Sequence, residues 1–373
     1  MPESARNSDL EALLLAVIRR GAGASLPASE FDALARAVFT HQFACNPIYR
    51  AYCEARGKTP TSVDGWEDVP AVPTDAFKAA PLSCGDPAAA EVVFRTSGTT
   101  RGSERRGTHY MLDTSLYRAA LRAGFRTYLL PEGRPMRICS LVPSFSEVPD
   151  SSLSFMIDDL VRAVGAAGST FVLREGELDV AGFVAIAREA ATHGEPILVA
   201  GTSFAFVHLL DALAADSTRI ALPAGSRVMD TGGFKGRSRT IEKAELYRMI
   251  EEGLGVPATH IVNEYGMTEM SSQFYDGVAG RAAPAGAPRR HALPPWVRSV
   301  AVDPETLEPL PAGSPGVLRH VDLANLHSVM ALQTADLGTV TDEGVELRGR
   351  AEGAEARGCS IAMDELLEVM RRG

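Results

Sequence analysis

The chain is short of cysteine, of metal-spaced histidine, of positive charge and of long apolar runs, and each shortage excludes something. Its five cysteines, Cys45, Cys53, Cys84, Cys139 and Cys359, contain no CxxC pair. Neither a zinc knuckle nor a disulfide scaffold is indicated, and a reducing cytoplasm fits this usage best. The eight histidines show no HExxH spacing. The net charge of -10 argues against a general nucleic-acid or anionic-membrane surface. No stretch approaches the roughly 20 apolar residues that span a bilayer. The apolar run Leu13–Ile18 is too short for a secretory leader, follows Asp9 and Glu11, and ends at Arg19–Arg20. A Walker loop is also missing, because no glycine-rich segment ends in GKT or GKS.

What is present is a chain of 373 residues, 45% hydrophobic, long enough for a large core and two or three lobes. Ser8 with Glu11 reads as a capping box that starts a leucine-rich helix. A second helix is expected from Ala28 to about Arg56. In Trp66–Lys78 the prolines Pro70 and Pro73 forbid a regular helix, so an extended arm is expected. Strand-like runs at Arg137–Val142, Thr170–Leu173, Ile197–Ala200, Arg227–Met229 and His260–Val262 then alternate with helical patterns. One of these, Ser152–Val164, puts Leu153, Met156, Ile157, Leu160, Val161 and Val164 on one stripe. Alternation of this kind implies a mostly parallel, covered sheet, with ligands at the carboxyl ends of its strands. The pattern divides the chain into N-terminal helices and arm (1–80), an α/β core (81–278), a Pro/Ala/Gly loop (279–295), a β-rich subdomain (296–350) and a tail (351–373). The loop composition suits a mobile surface segment, and a lid or docking loop is the functional alternative.

Five short segments carry the chemistry. Thr96–Thr100 (TSGTT: Thr96, Ser97, Gly98, Thr99, Thr100) offers glycines and hydroxyls to a phosphate. It lacks a following lysine, and Arg101, Arg105 and Arg106 are the nearby positive charges. TGG at Thr231–Gly233 and YGMTE at Tyr265–Glu269 each follow a strand. Tyr265 could stack on a base, Thr268 could bond a phosphate oxygen, and Glu269 could hold Mg²⁺. Asp336, in TADLG, is placed on a turn between strands, free to bond a ribose diol. Arg350 ends the strand VELRGR within reach of ribose or phosphate. Cys359 stands in RGCS, where Arg357 and a helix over Met363–Arg372 would favour thiolate. Taken singly, each segment has an ordinary explanation as a turn, a surface charge or a small buried side chain. Cys139, in ICSLV, fits the buried alternative.

In order, these segments resemble the adenylate-forming superfamily of acyl-CoA synthetases and adenylation domains. The chain is more closely similar to the acyl-protein synthetases of the bacterial luciferase fatty-acid reductase complex. The likeness spans nearly the whole chain. It includes VPAVPTDAFK (Val69–Lys78), PSFSEVPDSSLSFMIDDL (Pro143–Leu160), TGGFK (Thr231–Lys235), YGMTEM (Tyr265–Met270) and LRHVDLANLHS (Leu318–Ser328). The resemblance implies an α/β fold of the adenylate-forming N-terminal type, with mostly parallel covered sheets and a small β-rich subdomain. The phosphate-loop lysine and the superfamily's usual C-terminal domain are absent. It also implies a two-step reaction with ATP and Mg²⁺. A carboxylic acid, fatty or aryl, becomes acyl-AMP, and a C-terminal cysteine then takes the acyl group for a carrier protein or a reductase or transferase subunit. By position, Ser97–Thr100 form the phosphate loop. Gly232, Gly233 and Tyr265 meet adenine, and the adjoining Gly266 is a further cofactor-binding residue. Thr268 meets the α-phosphate, Glu269 the metal, Asp336 the ribose and Arg350 the nucleotide, and Cys359 accepts the acyl group.

Two other readings compete. The same cysteine could move an acyl group from a CoA thioester to a carrier protein without ATP, or the chain could be a non-catalytic acyl-binding scaffold. The tail from Ala351 onward is expected to act as a swinging arm, since nine extended residues reach roughly 30 Å.

Overall fold

Breakers and caps in the sequence set the element boundaries. The first helix runs Glu3–Arg19, so Ser8 lies inside it rather than at its start. Glu3, Ala5 and Arg6 are good helix formers, and nothing before Ser8 opposes a helical backbone. The single helix expected over 28–56 is two, Ala28–Cys45 and Pro47–Ala55. Pro47 removes a backbone donor, and the Asn46 side chain accepts from Tyr49 N at 3.1 Å to cap the second helix. The computed structural model describes residues 3–96, 106–232, 241–282, 286–351 and 357–372.

The chain forms two units. One comprises residues 1–123, 267–273 and 290–373, and the other 124–266 and 274–289.

The second unit is the α/β part. Its sheet runs in the order Phe274–Tyr275, Ile261–Tyr265, Arg227–Thr231, Ile197–Thr202, Arg137–Ser140, Thr170–Phe171. Every pairing is parallel except that of Phe274–Tyr275. Helices Ser152–Ala163, Val180–His193, Ser203–Ala215 and Lys243–Leu254 alternate with the strands. Apolar helix stripes bury Phe183, Phe206, Leu209 and Ile250 against Ile197, Val199, Val228 and Ile261. Strand Arg227–Thr231 is buried along its whole length, as a strand covered on both faces must be.

The first unit carries a mostly antiparallel sheet, built from Val297–Val302, Pro315–Asp322, Ala331–Thr341 and Gly344–Arg350. The proline-rich arm joins it as a strand: Val72–Pro73 pairs in parallel with Leu332 and Gln333. A proline is tolerated there because the arm lies at the sheet edge. TADLG is not a turn. It lies inside the strand Ala331–Thr341, with an irregularity between Leu337 and Gly338. The reason is local, because Gly338 lets the backbone shift register while pairing continues.

The cysteines depart from expectation too. Cys45 and Cys84 are joined in a disulfide across 39 residues. No spacing rule reaches that far, because the helix Pro47–Ala55 and the arm fold back to bring the two together. Cys53 and Cys139 are free and buried. Among the described residues no helix is long and apolar enough to cross a membrane.

Candidate active site

In the second unit, parallel pairing brings Thr202, Thr231 and Glu264 into one row at the carboxyl ends of three strands. Each stands at or next to the end of its strand, where the chain turns away from the sheet. Thr202 caps the next helix, accepting from Ala205 N at 3.2 Å. The Thr231 hydroxyl donates to the buried Glu264 carboxylate. Gly232 follows with φ +69°, a left-handed conformation that favours glycine. Its carbonyl accepts from the Ser203 hydroxyl at 3.1 Å. Tyr265 and Gly266 follow Glu264. The half-buried Tyr265 ring lies tilted against Phe274, with centroids 5.6 Å apart.

A buried polar network supports this row. Asp230 accepts from Ser203 Oγ at 2.7 Å and from Asn263 Nδ2 at 2.9 Å. Lys243 Nζ donates to Asn263 Oδ1 at 2.7 Å. Asp276 accepts from Asn263 N at 2.7 Å and holds the Arg289 guanidinium. Burial pushes the Asp230 carboxyl up to about 6, against the opposing pull of Ser203, Lys243 and Asn263. The sequence motifs did not single out Asp230, Asn263 or Glu264. Their signal was polar residues inside otherwise apolar strands, VMDTGG and IVNEYG, where a buried polar side chain needs a partner.

In the first unit, the segment expected to bind phosphate begins at a hairpin neck. Thr96 N donates to Gly107 O at 2.9 Å, and Gly107 N donates back to Thr96 Oγ1 at 2.8 Å. Arg106 donates to the carbonyls of Arg95 and Thr96. It is therefore engaged in shaping the neck. Ser97, Gly98, Thr99 and Thr100 lie outside the described residues, as do Arg101, Arg105 and Gly233.

Thr268 and Glu269 are held by their backbone carbonyls. The buried His109 ring contacts Thr268 O through Nδ1 at 2.8 Å. Asn325 Nδ2 donates to Glu269 O at 2.9 Å. Asn325 is fixed in turn by Ser271 Oγ at 3.1 Å and by Val329 O at 2.7 Å. Beneath them Asp322 accepts from Ser271 N, Ser272 Oγ and Ala324 N. Desolvation lifts the Asp322 carboxyl to about 6, although these hydrogen bonds favour the anion. Burial likewise lowers His109 to about 4, so it is neutral and its Nδ1–H donates to Thr268 O. These supports lie in or just after the DLAN segment, directly after YGMTEM, or on strand Thr108–Met111.

Asp336 and Arg350 are register partners on adjacent strands, with Arg350 Nε 3.8 Å from Asp336 Oδ1. Thr334 Oγ1 accepts from Asp336 N at 3.0 Å and donates to Leu318 O at 2.7 Å, which locks the backbone. Cys359 lies in the first turn of the helix Arg357–Arg372 rather than ahead of it. Its helix packs on this unit, with Ala362 and Leu366 buried and Glu365 paired with Arg56.

Parallel strands whose carboxyl ends carry TGG and YGMTE define a class, the adenylate-forming acyl-CoA ligase fold. Solved structures of 2-hydroxyisobutyryl-CoA ligase share it. An open conformation with 2-HIB-AMP and CoA gives a TM-score of 0.62 at 17% identity, over 89% of this chain and 75% of that one. A postadenylation state with R3-HIB-AMP gives 0.61 at 17% identity, over 88% and 69%. Within that class the chain belongs to the acyl-protein synthetase family LuxE, whose model matches residues 29–368. It is a ligase. The long-chain-fatty-acid–luciferin-component ligase of Vibrio harveyi is 22% identical over 350 residues, covering 91% of this chain and 89% of that protein. The protein of the same name from Aliivibrio fischeri is 21% identical, covering 90% and 88%.

Proposed function

We propose that this chain activates a long-chain fatty acid with ATP and loads the acyl group onto its own Cys359 for delivery to a partner protein. The observation that carries this reading is the extent of the family match. Residues 29–368 include every segment of the ordered set, Cys359 among them. The names of the Vibrio harveyi and Aliivibrio fischeri proteins support a fatty acid over an aryl acid.

Two displacements follow. A carboxylate oxygen attacks the α-phosphorus of ATP, the bond to the bridging oxygen breaks, and pyrophosphate leaves. The Cys359 thiolate then attacks the acyl carbon, and AMP departs with the electron pair of the broken C–O bond. Gly232, Tyr265 and Gly266 are assigned to adenine, Asp336 to the ribose diol, and Arg350 and Thr268 to the nucleotide and its α-phosphate. Thr96 anchors the phosphate segment that continues through Ser97, Gly98, Thr99 and Thr100, and Gly233 completes TGG. A half-buried Glu269 whose backbone is pinned by Asn325 fits a Mg²⁺ bound mainly by phosphates and one carboxylate. When bound, that ion offsets charge on the departing pyrophosphate. The start of a helix at Arg357 favours thiolate two residues on, through the unpaired N–H groups and the positive end of the dipole.

The test is intact mass after incubation with MgATP and a pool of fatty and aryl acids, beside an acyl-CoA pool without ATP. We expect an ATP-dependent, hydroxylamine-sensitive fatty-acyl adduct, absent from Cys359→Ser. An adduct from acyl-CoA alone would replace this reading with acyl transfer. No adduct from either pool would point to a scaffold.

A further inference from the structure

A cluster of reactive side chains lies in the first unit, on elements other than the helix that carries Cys359. His41 and Cys45 stand four residues apart on one face of helix Ala28–Cys45. Cys84 comes in from the segment after the arm, where its N–H donates to His327 O at 2.9 Å. The ligand atoms of His41, Cys45 and Cys84 all lie within 4.8 Å of one another. His41 Nε2 is 3.5 Å from Cys45 Sγ. His327 stands beside them, its ring edge-on to that of His41 with centroids 6.1 Å apart. Its Nε2 is buried and has no hydrogen-bond partner among the described residues.

Two sulfurs and two imidazoles are the donor set of a tetrahedral site for a borderline-soft divalent cation. We propose that the reduced Cys45–Cys84 pair, with His41 and with His327 as fourth ligand, is a Zn²⁺ site. The disulfide and the metal are alternative occupants of the same sulfurs. Reaching the metal form takes two electrons and two protons from a thiol reductant, which leaves as its own disulfide. Zn²⁺ then displaces the two thiol protons, and the two thiolates neutralise its charge. Neutrality removes most of the penalty for burying an ion. It also gives the orphaned His327 Nε2 a partner, which the disulfide does not.

The site closes a clamp. Helix Ala28–Cys45 is already tied to the segment after Asp322, because Gln42 Nε2 donates to Asn325 O at 2.8 Å and to Leu326 O at 3.1 Å. Gln42 Oε1 also accepts from Met330 N at 3.0 Å. Asn325 is the residue that donates to Glu269 O. Metal occupancy therefore bears on the segment that holds YGMTE, whatever reaction YGMTE serves.

The experiment uses the full chain as Cys359→Ser, which removes a competing thiol. Protein reduced and stripped with a chelator is titrated with Co²⁺ and then with Zn²⁺, in absorbance. We expect one Co²⁺ per chain, with a thiolate-to-metal charge-transfer band that Zn²⁺ bleaches. Cys84→Ser should abolish the band, and His41→Ala should weaken binding at least tenfold. In the reduced protein Zn²⁺ should shield Cys45 and Cys84, located by peptide mass, from alkylation. Absence of the band, or its survival in Cys84→Ser, overturns the proposal. If Cys84→Ser does not fold, the alkylation map decides alone. Both thiols alkylated in the presence of Zn²⁺ would leave Cys45–Cys84 a plain structural disulfide.

Discussion

Asp336 and Arg350 pose a choice between a functional and a structural role. Their side chains face each other at 3.8 Å, with relative exposures of 24% and 56%. A pair that open to water contributes about 0–1 kcal/mol to stability. A hydrogen bond from a ligand hydroxyl to a carboxylate is worth about 1.5–3 kcal/mol. Asp336→Ala should therefore leave the melting temperature nearly unchanged and cut ATP-dependent activation about tenfold to a hundredfold. Thermal melts beside pyrophosphate exchange check this. A large loss of stability with little loss of exchange would make Asp336 a structural residue.

Among the elements, strand Ala331–Thr341 shows how one glycine fixes the backbone near the candidate residue Asp336. A Cβ on Gly338 would meet the Glu346 carbonyl oxygen at 2.6 Å and the Leu318 methyls at 3.1 and 3.2 Å. The carbonyl belongs to the neighbouring strand and cannot step aside, so the pairing must open. Gly338→Ala should cost about 1–3 kcal/mol, read as a lower unfolding midpoint. It should also weaken nucleotide binding, because Asp336 lies two residues away across the register irregularity. Normal stability and binding in Gly338→Ala would mean that the irregularity can be rebuilt elsewhere. Helix Arg357–Arg372 carries a different consequence. Leu366 is fully buried and Glu365 is paired with Arg56. Any journey of Cys359 to a partner must begin by undocking this helix or by bringing the partner to it.

For the whole molecule, buried titratable groups set the response to pH. His109 is lowered to about 4 and His320 to about 3, both chiefly by burial. Both are neutral when folded, while the unfolded chain takes up their protons below about 6.5. Stability from these groups is present above pH 6.5 and is lost as pH falls, by about 2 kcal/mol each between pH 7 and pH 5. Asp230 and Asp322 act oppositely. Raised to about 6 by burial, each takes up a proton in the folded state first and returns about 1 kcal/mol over the same range. His41 and His327 are also lowered and add to the loss. The net expectation is that denaturant stability falls from pH 7 to pH 5. His320→Gln should shrink the fall, and a flat profile in both proteins would refute the assignment.

The sequence by itself determined the alternation of strands and helices, and with it the parallel sheet, because periodicity and chain breakers act over a few residues. It also determined the family, because TGG, YGMTE, TADLG and RGCS occur in order along one line. The network of Asp230, Asn263 and Lys243 needed the tertiary structure, since its members are at least 13 residues apart and meet only through strand pairing and the packing of helix Lys243–Leu254. So did the placement of Asp336 within a strand, because a register shift is a property of two strands. The meeting of Cys45, Cys84, His41 and His327 was decided last of all. Those residues are spread across the chain, and only the folding of helix, arm and sheet onto one another brings the His41 nitrogen and the two sulfurs within 4.8 Å of one another, with the His327 ring beside His41.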